Sequence, residues 1–151
     1  MSGATRFDLE DCTFLGGWNG TRAGSIIGRR GGLIYMTGAS LAATISRSSI
    51  YNAGNRVPSY TGDSGSIAIG SGTLFMTNVL HGAGRGNVLE ILGGTVSAVN
   101  CTFANATSGY GILQTSGGLA LRNCIVWGNE SGAYSFAGGT AGSFDYCFVQ
   151  D

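Results

Sequence analysis

The sequence predicts an all-β protein built as a parallel β-solenoid, and three observations support this. A short motif recurs at a spacing of 22 or 23 residues through the second half of the chain. Pairs of small residues, each containing at least one glycine, recur in step with that motif. Between these markers apolar residues alternate with a period of two, whereas a helix would need apolar spacings of three and four.

The motif is clearest around Cys101, Cys124 and Cys147, which stand 23 residues apart. It reads Asn-Cys-Thr-Phe, then Asn-Cys-Ile-Val, then Asp-Tyr-Cys-Phe. Counting the weaker upstream copies, the six copies begin at residues 11, 48, 78, 100, 123 and 145. This spacing predicts five to six coils of about 22 residues each.

The small-residue pairs, such as Gly93-Gly94 and Gly117-Gly118, separate short alternating stretches. Each unit therefore contains three short strands joined by turns of Gly, Asn or Ser. An antiparallel sandwich is the alternative, but it should show hairpin dipeptides and no long-range register. Three strands per coil, each pairing with its equivalent about 4.8 Å away in the next coil, explain both patterns.

Composition excludes several classes of protein. With 43% hydrophobic and only 11% charged residues the chain is not disordered, and 28 glycines with one proline and no Gly-X-Y period are not collagen. Eight arginines balance eight acidic residues, so no net charge attracts nucleic acid or an anionic membrane. No apolar stretch approaches the roughly 20 residues of a membrane span, and the N-terminus lacks the apolar core of a signal peptide.

The segment 118–129, Gly-Leu-Ala-Leu-Arg-Asn-Cys-Ile-Val-Trp-Gly-Asn, resembles a repeat of right-handed parallel β-helix proteins. These are the pectate-lyase-like (pectin-lyase-like) proteins, and the N-C-I-V-x-G-N pattern is most similar to bacterial surface and secreted members. The resemblance covers about residues 7–151. It implies a right-handed parallel β-helix at the cell surface or outside the cell. It does not imply an activity, because the same coils occur in lyases, hydrolases, phage spikes, adhesins and fibres.

We expect one domain over residues 1–151, with regular coils over 73–151. Its N-terminal half should be irregular, because two loops, 16–32 and 52–63, interrupt the period. Insertions in solenoids usually lie on one face and often carry function.

Three residues in these loops, Trp18, Arg56 and Tyr60, are therefore candidates for contact with a carbohydrate or with a partner chain. An aromatic ring beside an arginine can bind a sugar ring or the surface of a partner chain. The alternative is that both loops merely cover apolar surface.

Stacked positions are predicted in the interior and at one turn. A core ladder contains Cys12, Ser49, Val79, Cys101, Cys124 and Cys147, and a second inward ladder contains Phe14, Tyr51, His81, Phe103, Val126 and Val149. A turn ladder contains Asp11, Ser48, Asn78, Asn100, Asn123 and Asp145, whose side chains can hydrogen-bond between coils and tolerate left-handed backbone. The cysteines are expected to be free thiols, because parallel Cβ vectors disfavour disulfides and in-line thiols offer no tetrahedral metal site.

An outward apolar face is predicted between the inward ladders. It consists of Ile50, Leu80, Ile125, Trp127 and Phe148, with Thr13 and Thr102 in the same row. A contiguous exposed apolar stripe is unusual on a monomer, so another chain or one of the loops should cover it. The expected partners are copies of the protein itself, arranged laterally or head to tail, because strands lie close to both ends of the sequence without room for a cap.

No catalytic group, metal site or cofactor is predicted. No two acidic residues stack on neighbouring coils, since Asp11 and Asp145 lie at opposite ends of the turn ladder, so neither a carboxylate pair nor a calcium cluster is expected. The single histidine, His81, belongs to an inward ladder. The predicted function is a structural module of an extracellular fibre, surface protein or phage appendage, able to stack end to end into a filament. The alternative is a carbohydrate-binding or polysaccharide-degrading pectate-lyase-like β-helix.

Overall fold

The computed structural model describes residues 5–19, 33–55 and 66–150. These ranges contain strands joined by turns and no helix. Seventeen strands lie in these ranges and form three parallel sheets. A search of the same residues for a helix long and apolar enough to cross a membrane finds none.

Each sheet takes one strand from every coil. The first sheet contains β1 (Thr5–Glu10), β4 (Leu41–Ser46), β7 (Thr73–Thr77), β10 (Thr95–Val99), β13 (Gly118–Arg122) and β16 (Ser143–Asp145). The second contains β2 (Thr13–Asn19), β5 (Ser49–Asn55), β8 (Leu80–Arg85), β11 (Thr102–Thr107), β14 (Ile125–Trp127) and β17 (Phe148–Val149). The third contains β3 (Ile34–Met36), β6 (Ile67–Ile69), β9 (Leu89–Ile91), β12 (Ile112–Gln114) and β15 (Tyr134–Phe136). The predicted parallel β-helix with three short strands per coil is confirmed.

Inward positions stay inward from one coil to the next, because neighbouring strands pair residue by residue. Val96 of β10, for example, pairs with Leu74 above and Leu119 below, and all three are buried. A slip of one residue would turn every one of these side chains outward. The interior is thus a set of apolar stacks, which supply the main stabilisation of a chain with so few charges.

One polar residue, Gln114, lies fully buried in the inward stack of the third sheet. Its Nε2 donates to the carbonyl oxygens of Gly117 at 3.0 Å and Thr140 at 2.7 Å, and its Oε1 accepts from the Tyr134 hydroxyl at 2.6 Å. Because all of these polar atoms have partners, the amide is accommodated without the penalty of an unpaired buried group.

The recurring glycines lie where successive coils approach most closely. Gly72, Gly94, Gly117 and Gly139 all have φ between 69° and 95°. A Cβ at Gly94 would lie 2.6 Å from the Gly72 carbonyl oxygen, and one at Gly117 would lie 2.1 Å from that of Gly94. Positive φ and this contact both require a residue without a side chain, which explains the small-residue pairs seen in the sequence.

The two predicted loops begin later than expected. Strands β2 and β5 continue to Asn19 and Asn55, and these two residues pair with each other. Glycine and asparagine in both segments indicate turns, yet pairing with the adjacent coil provides their backbone hydrogen bonds. The remaining loop residues, 20–32 and 56–63, lie outside the described ranges.

Candidate interaction face and turn ladders

The outward face of the second sheet carries an exposed row of apolar side chains. The first outward position of each strand is occupied by Thr13, Ser49, Leu80, Thr102, Ile125 and Phe148. Leu80, Ile125 and Phe148 are 40%, 45% and 58% exposed, and Trp127, beside them, is 46% exposed. The Trp127 and Phe148 rings pack with centroids 5.3 Å apart at 31°. We call Leu80, Ile125, Trp127 and Phe148 the apolar row.

Ile50 does not belong to this face, and its prediction there was wrong. It is fully buried and pairs with His81, while Ser49 takes the outward place and Tyr51 leaves the inward ladder. Ser48 was aligned with the Asn or Asp of the other copies although Arg47 holds that place, and this shifted the segment by one residue. In a strand that shift exchanges the two faces.

Leu15 is an exposed apolar residue on the same face that was not predicted. It is 75% exposed and follows Thr13 by two residues in β2. Its Cα partner Tyr51 pairs in turn with Gly82, so Leu15 stands in the outward column that ends at Trp127. The alternation of Thr13, Phe14 and Leu15 was the signal that could have identified it.

The turn ladder lies at left-handed backbone positions. These are Asp11, Arg47, Asn78, Asn100, Asn123 and Tyr146, with φ between 45° and 54°. Asn100 Nδ2 donates to Asn78 Oδ1 at 3.1 Å, and Asn123 Nδ2 donates to Asn100 Oδ1 at 3.3 Å. Asparagine recurs here because it tolerates this conformation and its amide links consecutive coils.

Two predicted members of the turn ladder, Ser48 and Asp145, were wrong by one residue. Arg47 and Tyr146 occupy those places instead. Ser48 lies in the position that cysteine fills in other coils, where its Oγ accepts from the Cys12 backbone N–H at 3.1 Å. Asp145 is the last residue of β16.

At its N-terminal end the turn ladder is held by charge rather than by amides. Arg47 Nε donates to Asp11 Oδ1 at 2.8 Å, and Nη2 donates to Asp11 Oδ2 at 2.9 Å and also to Glu10. The hydrogen bond from Arg47 lowers the pKa of the Asp11 carboxyl below its usual value. All three side chains are solvent-exposed, so this contact fixes the turn more than it stabilises the fold.

Tyr146→Asn is expected to raise the free energy of unfolding by about 1 kcal/mol. Tyr146 is a large, exposed side chain at φ 54°, and asparagine would adopt this backbone more readily while donating to Asn123 Oδ1. Urea unfolding measures the change. Tyr146→Phe is the control, because phenylalanine is as unfavourable as tyrosine in this left-handed backbone conformation. Equal stabilities of the two variants would contradict this explanation of the ladder.

Cysteines occupy the residue after the turn ladder in four coils. All four are free thiols; Cys101 and Cys124 are buried, and Cys12 and Cys147 are partly exposed. Each thiol donates to the carbonyl oxygen two residues before it, at 3.2 or 3.3 Å. The Ser48 hydroxyl makes the same contact at 2.7 Å. We call Cys101, Cys124 and Cys147, in three consecutive coils, the thiol ladder.

A cleft of about 360 Å³ is formed mainly by the residues that come directly after Trp127 in the sequence. It is lined by Gly128, Asn129, Glu130, Ser131, Gly132 and Gln150. Asn129 Oδ1 accepts from the Ala106 N–H at 3.0 Å, and Gln150 Oε1 accepts from the Gly128 N–H at 2.7 Å. These side chains connect neighbouring coils.

His81 is buried in the inward stack of the second sheet, as the sequence predicts. Its ring meets Phe103 edge to face with centroids 6.4 Å apart, and neither Nδ1 nor Nε2 has a hydrogen-bond partner. Burial lowers the pKa of the imidazole to about 3. The described ranges contain no group of three or more His, Cys, Asp or Glu residues that could hold a metal ion.

The predicted carbohydrate or partner contacts stay predictions. The Trp18 backbone lies in β2 and pairs with Gly54, but its side chain lies outside what the structure describes, as do Arg56 and Tyr60.

Comparison with known proteins gives one match. A family model for the right-handed beta helix region matches residues 31–151. No curated protein and no solved structure matches the chain.

Proposed function

The chain belongs to the right-handed β-helix family, and on that premise we propose that it is a structural module of an extracellular fibre, a surface protein or a phage appendage. The observation that carries the proposal is the apolar row. Stacked coils form a rod, and the row places exposed apolar side chains along one side of that rod. Exposed apolar patches of this kind mark surfaces that contact other chains.

A second copy of the same chain is the partner that the charges favour. The second-sheet strands carry one formally charged residue, Arg85 at the end of β8 and away from the apolar row, whereas the first-sheet strands carry Arg6, Asp8, Glu10, Arg122 and Asp145. Two such faces can pack against each other about 10 Å apart without burying an unpaired charge. The formal net charge of zero means that copies do not repel one another at long range.

Ile125→Asp is expected to weaken self-association by at least about tenfold, because it places a charge on the contact face and removes buried apolar area from both copies. Sedimentation velocity over a concentration series measures the change. Phe75→Asp is the matched control, since Phe75 is 47% exposed on the first sheet and its loss should leave association unchanged. Equal association of wild type and Ile125→Asp would refute the proposed face.

End-to-end stacking into a filament is the second mode of assembly that we propose. An outer strand edge can accept a further parallel strand, so copies could extend the same three sheets. Electron microscopy of the purified protein should show filaments. Dispersed particles of dimer mass would contradict this mode and leave the lateral contact standing, whereas dispersed particles of monomer mass at micromolar concentration would contradict both modes.

Carbohydrate binding is the second candidate function, and the Trp127–Phe148 ring pair favours it. Exposed aromatic rings bind the apolar faces of sugars, and polar side chains of the cleft follow directly in the chain. Titration with oligosaccharides should then shift tryptophan fluorescence, and Trp127→Ala should abolish the shift. A fluorescence shift that Trp127→Ala leaves unchanged would contradict binding at this ring pair.

A further inference from the structure

We propose that the thiol ladder holds one soft monovalent metal ion, such as Cu(I) or Ag(I), in line between the sulfur atoms of Cys124 and Cys147. Such ions prefer thiolate ligands and accept two of them in a linear arrangement.

The spacing of the coils matches this arrangement. Cys124 and Cys147 directly precede Ile125 and Phe148, which pair between β14 and β17, so the two cysteines stand one coil apart. Paired strands lie about 4.8 Å apart. Two metal–sulfur bonds of about 2.3 Å placed in line span about 4.6 Å. In the free protein both sulfurs are oriented alike, because each thiol donates to the Arg122 or Asp145 carbonyl oxygen; the proton of that hydrogen bond is the one that binding releases.

A bridging ion fits these sulfurs better than a disulfide does. A disulfide needs Cβ atoms about 3.5–4.5 Å apart that converge on a short S–S bond. Side chains at equivalent positions of a parallel stack remain parallel and about 4.8 Å apart. An ion with two in-line ligands requires no convergence, and therefore no movement of the coils.

Access favours the Cys124–Cys147 pair over the Cys101–Cys124 pair. Cys147 is partly exposed and provides an entry, whereas Cys101 is buried.

Binding exchanges protons for the ion. Two sulfur–metal bonds form, each thiol that was protonated releases its proton to solvent, and no electron is transferred.

Titration of the fully reduced protein with Ag(I) under anaerobic conditions tests the proposal. Native mass spectrometry should show one tightly bound ion per chain, and a thiolate-to-metal absorption band should grow to the same endpoint. Cys124→Ser and Cys147→Ser should each weaken binding by at least about 100-fold, more than the loss of a group that only orients a ligand. Serine is accommodated at this position, as Ser48 shows, so both variants should fold.

Cys12→Ser is the matched control. Cys12 is a partly exposed thiol at the same position of its coil, but the next coil carries Ser48 there, so it has no thiol neighbour. Its loss should leave the affinity unchanged. Undiminished binding to Cys147→Ser, or loss of the tight ion in Cys12→Ser, would overturn the proposal.

Discussion

Gly117→Ala should lower the free energy of unfolding by about 3 kcal/mol or more. The new Cβ would lie 2.1 Å from the Gly94 carbonyl oxygen and 2.8 Å from the Gly93 carbonyl carbon. Both atoms belong to the backbone of the adjacent coil, so the coils must separate. The φ of 79° adds the cost of placing a side chain in a left-handed conformation. Urea unfolding followed by circular dichroism measures the loss.

The adjacent residue provides the control. A Cβ at Gly118 would lie 3.5 Å from Thr95 Cγ2, an ordinary contact, and Gly118 has no positive φ. Gly118→Ala should therefore be neutral, or stabilise by up to about 1 kcal/mol because it restricts the unfolded chain. Similar losses for the two variants would show that the close approach at Gly117 is not what requires glycine.

Stability should decrease as pH falls through the histidine range, because His81 is buried without a partner. Its folded pKa of about 3 lies below the ordinary value of 6.5, so the neutral ring is favoured in the fold and the unfolded chain binds the proton first. The stabilisation is therefore complete above pH 6.5 and is lost as pH falls towards 3. Between pH 7.5 and 5 the expected loss is about 2 kcal/mol.

His81→Phe should remove this dependence and raise stability at neutral pH by about 1–3 kcal/mol, since it eliminates two unpaired buried nitrogens. Phenylalanine also repeats the residue of the next coil, Phe103, in the same stack. His81 is the only histidine, so the difference between the two proteins isolates its titration. An identical pH profile for both would mean that His81 has a hydrogen-bonding partner in solution.

Most of the architecture was predictable because the coil spacing requires glycine, asparagine and apolar residues at fixed offsets. The predicted register was wrong by one residue where a residue type other than glycine or asparagine occupies the left-handed turn. Arg47 holds a left-handed turn by pairing with Asp11 across coils, and Tyr146 holds one without an amide. Arginine and tyrosine are not residue types that indicate a turn, so their neighbours Ser48 and Asp145 were predicted at these positions instead.

The candidate face was predictable in part for the same reason. Leu80, Ile125, Trp127 and Phe148 lie in regular coils, where alternation identifies their outward direction. Ile50 follows the irregular turn at Arg47, and the error of one residue placed it outside.

The buried amide of Gln114 was not predictable. Its acceptance in the core depends on the Tyr134 hydroxyl of the next coil and on two carbonyl groups. Such partners become visible only in three dimensions.

The central claim, that this β-helix is a structural module rather than a lyase or hydrolase, is tested most directly by incubating the native protein with acidic polysaccharides. The measurement is the appearance of new chain ends, with and without Ca²⁺, under conditions in which the wild type self-associates. Polysaccharide chains of unchanged length are expected in both cases. Calcium-dependent cleavage would contradict it.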